Sequence, residues 1–130
     1  MSRFLVDTQL LLWSASGSRK LPAAVGRLFH DGRHQFHFSA ASLWEVAIKT
    51  SLGRADFAVK AADLREVLVT NGFHELAITC GHAVAVSRLP PIHADPFDRM
   101  LVAQANAEPM VLITADERRA RYPGTIEVVG

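Results

Sequence analysis

The chain has one cysteine, Cys80, so it can build neither an intramolecular disulfide nor a thiolate metal site, and a reducing cytoplasm is the expected compartment. It also has little net charge. A formal balance of +1 leaves any nucleic-acid partner to a local patch rather than to the surface as a whole. Long apolar runs are lacking: Phe4-Leu5-Val6 stops at Asp7, and Leu10 to Trp13 is too short to cross a bilayer or to act as a secretory core. Neither a membrane partner nor a targeting segment is expected. No glycine-rich phosphate loop and no nucleophile elbow occurs, which removes nucleoside-triphosphate and acyl-transfer enzymes. Low-complexity tracts and long repeats are missing as well.

What remains is a chain of 130 residues, 49% hydrophobic and 21% charged, enough to bury one continuous core and too short for two ordinary domains. One domain over residues 1–130 is expected. Short apolar runs alternate with longer helical patterns. Phe4 to Val6 reads as a strand followed by an acid, Asp7, and a helix from Gln9 to Ala15. Pro22 opens a helix to about His30, and Asp31-Gly32 stops it. Gln35 to Phe38 alternates, and Ser39 or Ser42 caps a helix carrying Leu43 to Leu52, ended by Gly53. A helix from Asp63 to Thr70, a turn at Asn71-Gly72, a strand from His74 to Ile78 and a helix from His82 to Arg88 follow. Leu89-Pro90-Pro91 breaks the pattern; Asp95 caps and Pro96 opens a helix to Ala107, and Met110 to Ile113 is a buried strand. Such alternation predicts an α/β fold with a mainly parallel sheet.

Four carboxylates stand out: Asp7, Glu45, Asp98 and Asp116. Asp7 and Asp116 each follow a buried strand, and ligands collect at the carboxyl ends of parallel strands. Glu45 sits early in an apolar helix, and Asp98 in the first turns of the Pro96 helix. Each acid taken singly is better read as a cap or a solvated charge than as a ligand, and position alone leaves both readings open for the set. If the four do meet, their mutual repulsion calls for a divalent cation. Mg²⁺ prefers such hard oxygens, acidifies a bound water for attack on a phosphodiester, and neutralises charge growing on the phosphate. On this reading Asp7→Asn relieves repulsion and leaves the metal-free protein equally or more stable.

The segments Phe4-Leu5-Val6-Asp7-Thr8 with Leu11-Leu12-Trp13, Ser39 to Lys49 around Leu43-Trp44-Glu45-Val46, His93 to Ala105 around Asp95-Pro96-Phe97-Asp98-Arg99, and Leu112-Ile113-Thr114-Ala115-Asp116 run in one order across nearly the whole chain. In that order and spacing they resemble the PIN-domain family and, within it, the VapC-type toxins of bacterial toxin–antitoxin pairs. The resemblance implies a three-layer α/β/α sandwich around a parallel sheet, and endoribonuclease activity dependent on Mg²⁺ or Mn²⁺. It makes Asp7 and Asp98 the main metal ligands, Glu45 a supporting ligand or water-orienting base, and Asp116 an outer or second-metal ligand. Thr8 and Thr114 become hydroxyls that orient the carboxylates or waters. It also implies an RNA substrate and an antitoxin that covers the site with a helix or extended segment. The chain departs from the pattern after Asp116, where similar proteins often carry an aromatic residue and Glu117-Arg118-Arg119-Ala120-Arg121 stands here.

Arg118, Arg119 and Arg121 are candidates to hold flanking phosphates, with a solvated helical face as the alternative; Arg99 also lies close to the proposed acids. Lys49 is placed to pair with Glu45 one turn away. His30, His34 and His37 are read as loop residues and His93 as a loop buttress near the acids. Trp13 and Trp44 are read as core residues and Cys80 as a small buried one. Apolar helices suit a homodimer as well as a core. Three other functions compete: a PIN-fold RNA-processing nuclease without an antitoxin, a non-catalytic RNA- or protein-binding module, and an aspartyl phosphatase. The last predicts a second acid two residues after Asp7, where Gln9 stands.

Overall fold

The computed structural model describes residues 2–92 and 94–129. Five strands, β1 (Arg3–Val6), β2 (Gln35–Ser39), β3 (His74–Leu76), β4 (Val111–Thr114) and β5 (Ile126–Val128), pair in the order β3-β2-β1-β4-β5, and every pairing is parallel. Parallel neighbours require crossovers. These are supplied by α1 (Thr8–Ser16), α2 (Ala23–Phe29), α3 (Ala40–Ser51), α4 (Ala61–Thr70), α5 (Cys80–Val86) and α6 (Pro96–Ala107).

β1 occupies the centre because its side chains can be buried on both faces: Leu5 aligns with His37 on one side and Leu112 on the other. Successive residues therefore feed different cores. Phe4, Val6, Phe36, Phe38 and Ile113 pack with Leu10, Leu11, Val25, Leu64 and Leu68 of α1, α2 and α4. Leu5 and Leu112 pack with Leu101, Val102 and Ala105 of α6 and with Tyr122. The result is the three-layer α/β/α sandwich.

Local chemistry sets the element ends. α1 begins at Asp7, whose carboxylate caps Gln9 N, and stops at Gly17, which takes the left-handed φ of 65° that a side chain disfavours. Ser39, rather than Ser42, caps α3. Asp95 caps α6 and Pro96 fills its first turn.

Several expected bounds moved. β3 ends at Leu76 rather than Ile78, and α5 starts at Cys80, because Thr79 forms a reciprocal cap with His82. α4 starts at Ala61, two residues earlier than the first acid of its pattern. Three burial readings also change. Cys80 is exposed, Trp44 is 59% exposed against the edge of Phe97, and His37 is not in a loop but buried on β2 beside His74. Among the described residues no helix is long and apolar enough to cross a membrane.

Candidate active site

From β1 the chain moves outward to β2 and β3, then returns to place β4 on the opposite side of β1. Connections from β1 and β4 thus leave toward opposite faces, and a crevice opens at their carboxyl ends. Asp7 follows β1 there, and Asp116 lies two residues beyond β4.

Asp7 is almost fully buried. Its Oδ1 accepts the Gln9 amide at 3.3 Å, while Oδ2 accepts the Thr114 hydroxyl and Arg119 Nη1, the latter at 2.8 Å. Thr114 gives its only proton to Asp7 and uses its oxygen to accept from Asp116 N and Arg119 Nη1, each at 3.0 Å. Thr8 donates to Ser42 Oγ at 2.8 Å, tying the start of α1 to α3. Both threonines expected beside the site are therefore engaged in positioning contacts.

Asp98 is the third residue of α6, where the Asp95 cap and Pro96 turn it inward; it is buried and receives Arg119 Nη2. Burial raises its carboxyl above the ordinary carboxylate range, and the Arg119 charge and hydrogen bond offset that only in part. Asp116 is partly exposed. It caps the 3₁₀ turn Glu117–Arg121, accepts from Nε and Nη2 on one edge of the Arg118 guanidinium, and lies 3.5 Å from Arg119 Nη1. Those Arg118 bonds lower its pKa to about 2. Glu45, buried on α3, pairs with Lys49 one turn on, as the spacing predicts.

All four acids line one cleft of about 610 Å³. Its rim carries Lys49, Arg54 and Arg118, and its walls include Trp13 and Phe57. Among the described residues, no three Asp, Glu, His or Cys side chains gather tightly enough to hold a metal ion. Arg119 stands between Asp7, Asp98 and Asp116 and holds them around a guanidinium. The donor set nonetheless fits a hard cation: two buried carboxylates from separate elements already converge on one positive charge, with two more acids along the same wall.

The basic candidates separate. Arg119 enters the acid cluster, Arg118 serves Asp116, and Arg121 is exposed. Arg99 does not reach the cleft, because its guanidinium binds the carbonyls of Val86, Leu89 and Pro90 behind it. His93 lies outside the described residues. The sequence marks Ser42 only as a possible cap and gives no role to Arg54 or Phe57. Ser42 stands one turn before Glu45, a signal within reach; Arg54 and Phe57 follow Gly53 with no pattern to mark them.

A model of the PIN domain matches residues 4–124. No curated protein matches the chain. Among solved structures it is similar to VapBC2 from Rickettsia felis bound to a DNA fragment from their promoter, with a TM-score of 0.72 and 12% identity over 97% of this chain and 98% of that one. DNA-bound VapBC from Salmonella typhimurium gives 0.71 and 18%, covering 98% of each chain. VapBC-1 from nontypeable Haemophilus influenzae gives 0.65 and 14%, covering 97% of each. At such identities the solved structures carry the fold alone.

Proposed function

Because the chain belongs to the PIN-domain family, we propose that it is an endoribonuclease dependent on Mg²⁺ or Mn²⁺ and the toxin half of a toxin–antitoxin pair. The observation that carries this reading is the convergence of Asp7 and Asp98 on one cation at the carboxyl ends of β1 and β4, with Glu45 and Asp116 on the same cleft. Asp7 and Asp98 would hold the ion, and Asp116 would support it from outside or hold a second. When bound, the ion supplies Lewis-acid activation of water and neutralisation of phosphate charge. Glu45 is placed to accept the proton of the attacking water, with Lys49 fixing its orientation. Thr114 and Gln9 N fix the Asp7 carboxylate; Arg118 and Arg54 on the cleft would meet flanking phosphates of RNA, and exposed Arg121 would meet phosphates farther out.

Partners follow from neighbouring surfaces. An apolar groove of about 390 Å³, lined by Leu12, Ala15, Val59, Leu64 and Val67, shares Gln9 and Trp13 with the acid cleft. An antitoxin segment seated there would run directly over the acids. Trp44, Ile78 and Phe97 form a second apolar face, suited to a homodimer. The proposed setting is the cytoplasm, where RNA and a cognate antitoxin meet the chain.

The test is cleavage of a mixed RNA pool in Mg²⁺, in Mn²⁺ and in EDTA, with Asp98→Asn alongside. Cutting should need the ion and fall by roughly a hundredfold or more in the variant, the scale of losing a group that stabilises transition-state charge. Cutting in EDTA, or an unaffected variant, defeats the mechanism. One observation favours a second reading: Arg119 fills the acid cluster, as a non-catalytic RNA-binding module would allow. That module would bind the same pool and cut nothing with either ion.

A further inference from the structure

Two arginines meet at the first turn of α6, half-buried Arg99 within it and buried Arg119 against it, and they are bound in different ways. Arg99 spreads its guanidinium over three main-chain carbonyls and approaches the Tyr122 ring, contacts that hold the loop after α5. Arg119 makes no carbonyl contact among its described bonds. Its terminal nitrogens go to Asp7, Asp98 and Thr114, and its buried Nε finds no hydrogen-bond partner among the described residues. A structural arginine satisfies its donors, whereas this one leaves a buried donor without an acceptor in order to reach the acids.

The carboxylates it pairs with are the two that would hold the proposed ion. Nη1 engages Asp7 Oδ2 and Nη2 engages Asp98 Oδ1, so an ion bridging the two carboxylates from that side would have to displace the guanidinium. A single positive charge undercompensates the cluster. Asp7, Asp98 and Glu45 share the cleft, and although Lys49 serves Glu45, Arg119 must serve both buried aspartates. A divalent ion meets that demand better, and solvent is close at hand: Arg119 sits on a five-residue 3₁₀ turn whose neighbours on both sides, Arg118 and Ala120, are exposed.

We propose that Arg119 is a resident counter-ion that closes the acid cluster in the metal-free protein and competes with the divalent ion, so that loading requires its guanidinium to swing out. This rests on the metal-dependent reading above. It assigns the basic turn a gating duty at the acids themselves, distinct from holding RNA.

Two measurements test it, and neither reads activity. Mn²⁺ binding is measured by calorimetry on the metal-free native protein, on Arg119→Met, and on Arg119→Met combined with Asp98→Asn. If Arg119 holds the site closed about nine-tenths of the time, its removal tightens apparent binding about tenfold, since apparent affinity scales with the open fraction. Adding Asp98→Asn should abolish that gain. The second measurement needs only the native chain: an arginine-directed dicarbonyl, mapped by peptide mass spectrometry, should spare Arg119 in EDTA and modify it several-fold faster in saturating Mn²⁺, with Arg121 as the exposed control. Equal or weaker binding by a folded Arg119→Met, or unchanged labelling while Mn²⁺ is bound, overturns the gate and leaves the metal reading standing. Absence of ion binding by every protein overturns both. Should Arg119→Met not fold, the labelling of the native chain decides.

Discussion

Asp7 joins two structures at once, since one oxygen caps α1 while the other meets Thr114 and Arg119. That arrangement reverses an expectation drawn from repulsion alone. With a guanidinium already between the acids, Asp7→Asn relieves little and instead leaves Arg119 without one of its two buried carboxylates. The variant should lose about 2 kcal/mol in EDTA, less than breaking a buried pair outright because the amide keeps a hydrogen-bonding oxygen. Urea unfolding measures this, and a gain in stability would restore the repulsion argument; RNA cleavage by the variant should vanish in either case. A second residue carries a pH dependence. His37 is buried on β2 with Nδ1 unpartnered, and its pKa lies below the ordinary 6.5, chiefly through burial and then through His74 and Arg3. Below 6.5 the unfolded chain binds a proton that the folded chain resists. Stability is therefore undiminished by this group above 6.5 and declines as pH falls from there toward the folded value. His37→Leu should flatten that acid decline in urea midpoints taken between about pH 7 and 5; an unchanged slope would assign it to other groups.

At the scale of elements, caps do more than end helices, because they aim the acids. Asp95 accepts Phe97 N at 2.8 Å and Asp98 N at 3.2 Å, so it fixes the turn from which the Asp98 side chain points inward. Asp95→Ala should cost about 1 kcal/mol and, by loosening that turn, lower the rate of metal-dependent cleavage with the fold intact. A thermal melt and a cleavage assay check the two halves; full activity with the stability loss would reduce Asp95 to a cap alone. The elements that sequence made legible are those with such markers: α1 after Asp7, α6 after Asp95-Pro96, and the apolar runs of β1 and β4. β5 escaped notice, being three residues at a sheet edge with only Ile126 partly buried. The turn Glu117–Arg121 was legible as a basic cluster but not as a device that turns one arginine in and two out, because its tight winding breaks the helical spacing used to assign faces. A line from buried Ser39 through Gln104 to His82, ending on half-buried Glu108, was likewise invisible, since its members are 22 to 65 residues apart along individual links and lie on separate elements.

For the whole molecule, the strand order explains why a site can be read from four distant segments. Reversal of direction at β1 puts the ends of β1 and β4 side by side, and α3 and α6 bring Glu45 and Asp98 to the same opening. Each acid was legible because an apolar run or a cap precedes it. Their compensation by Arg119 was not, because pairing across 112 positions follows from topology rather than from spacing. The same layering leaves one face unfinished. Trp44 projects from α3 with 59% exposure, stands against Phe97 at 5.2 Å between ring centres, and shares a hollow with Ile78. Helical periodicity assigned Trp44 to the core, yet the core closes at Val46 and Ala41 without it. An aromatic side chain that stays in water serves association better than folding. Trp44→Asp should therefore leave the melting temperature within a few degrees of the native value, as expected for about 0.5 kcal/mol at a surface site, while converting the proposed dimer to a monomer in sedimentation equilibrium. A native chain that sediments as a monomer at every concentration would assign this face to another partner, and a large loss of melting temperature would return Trp44 to the core.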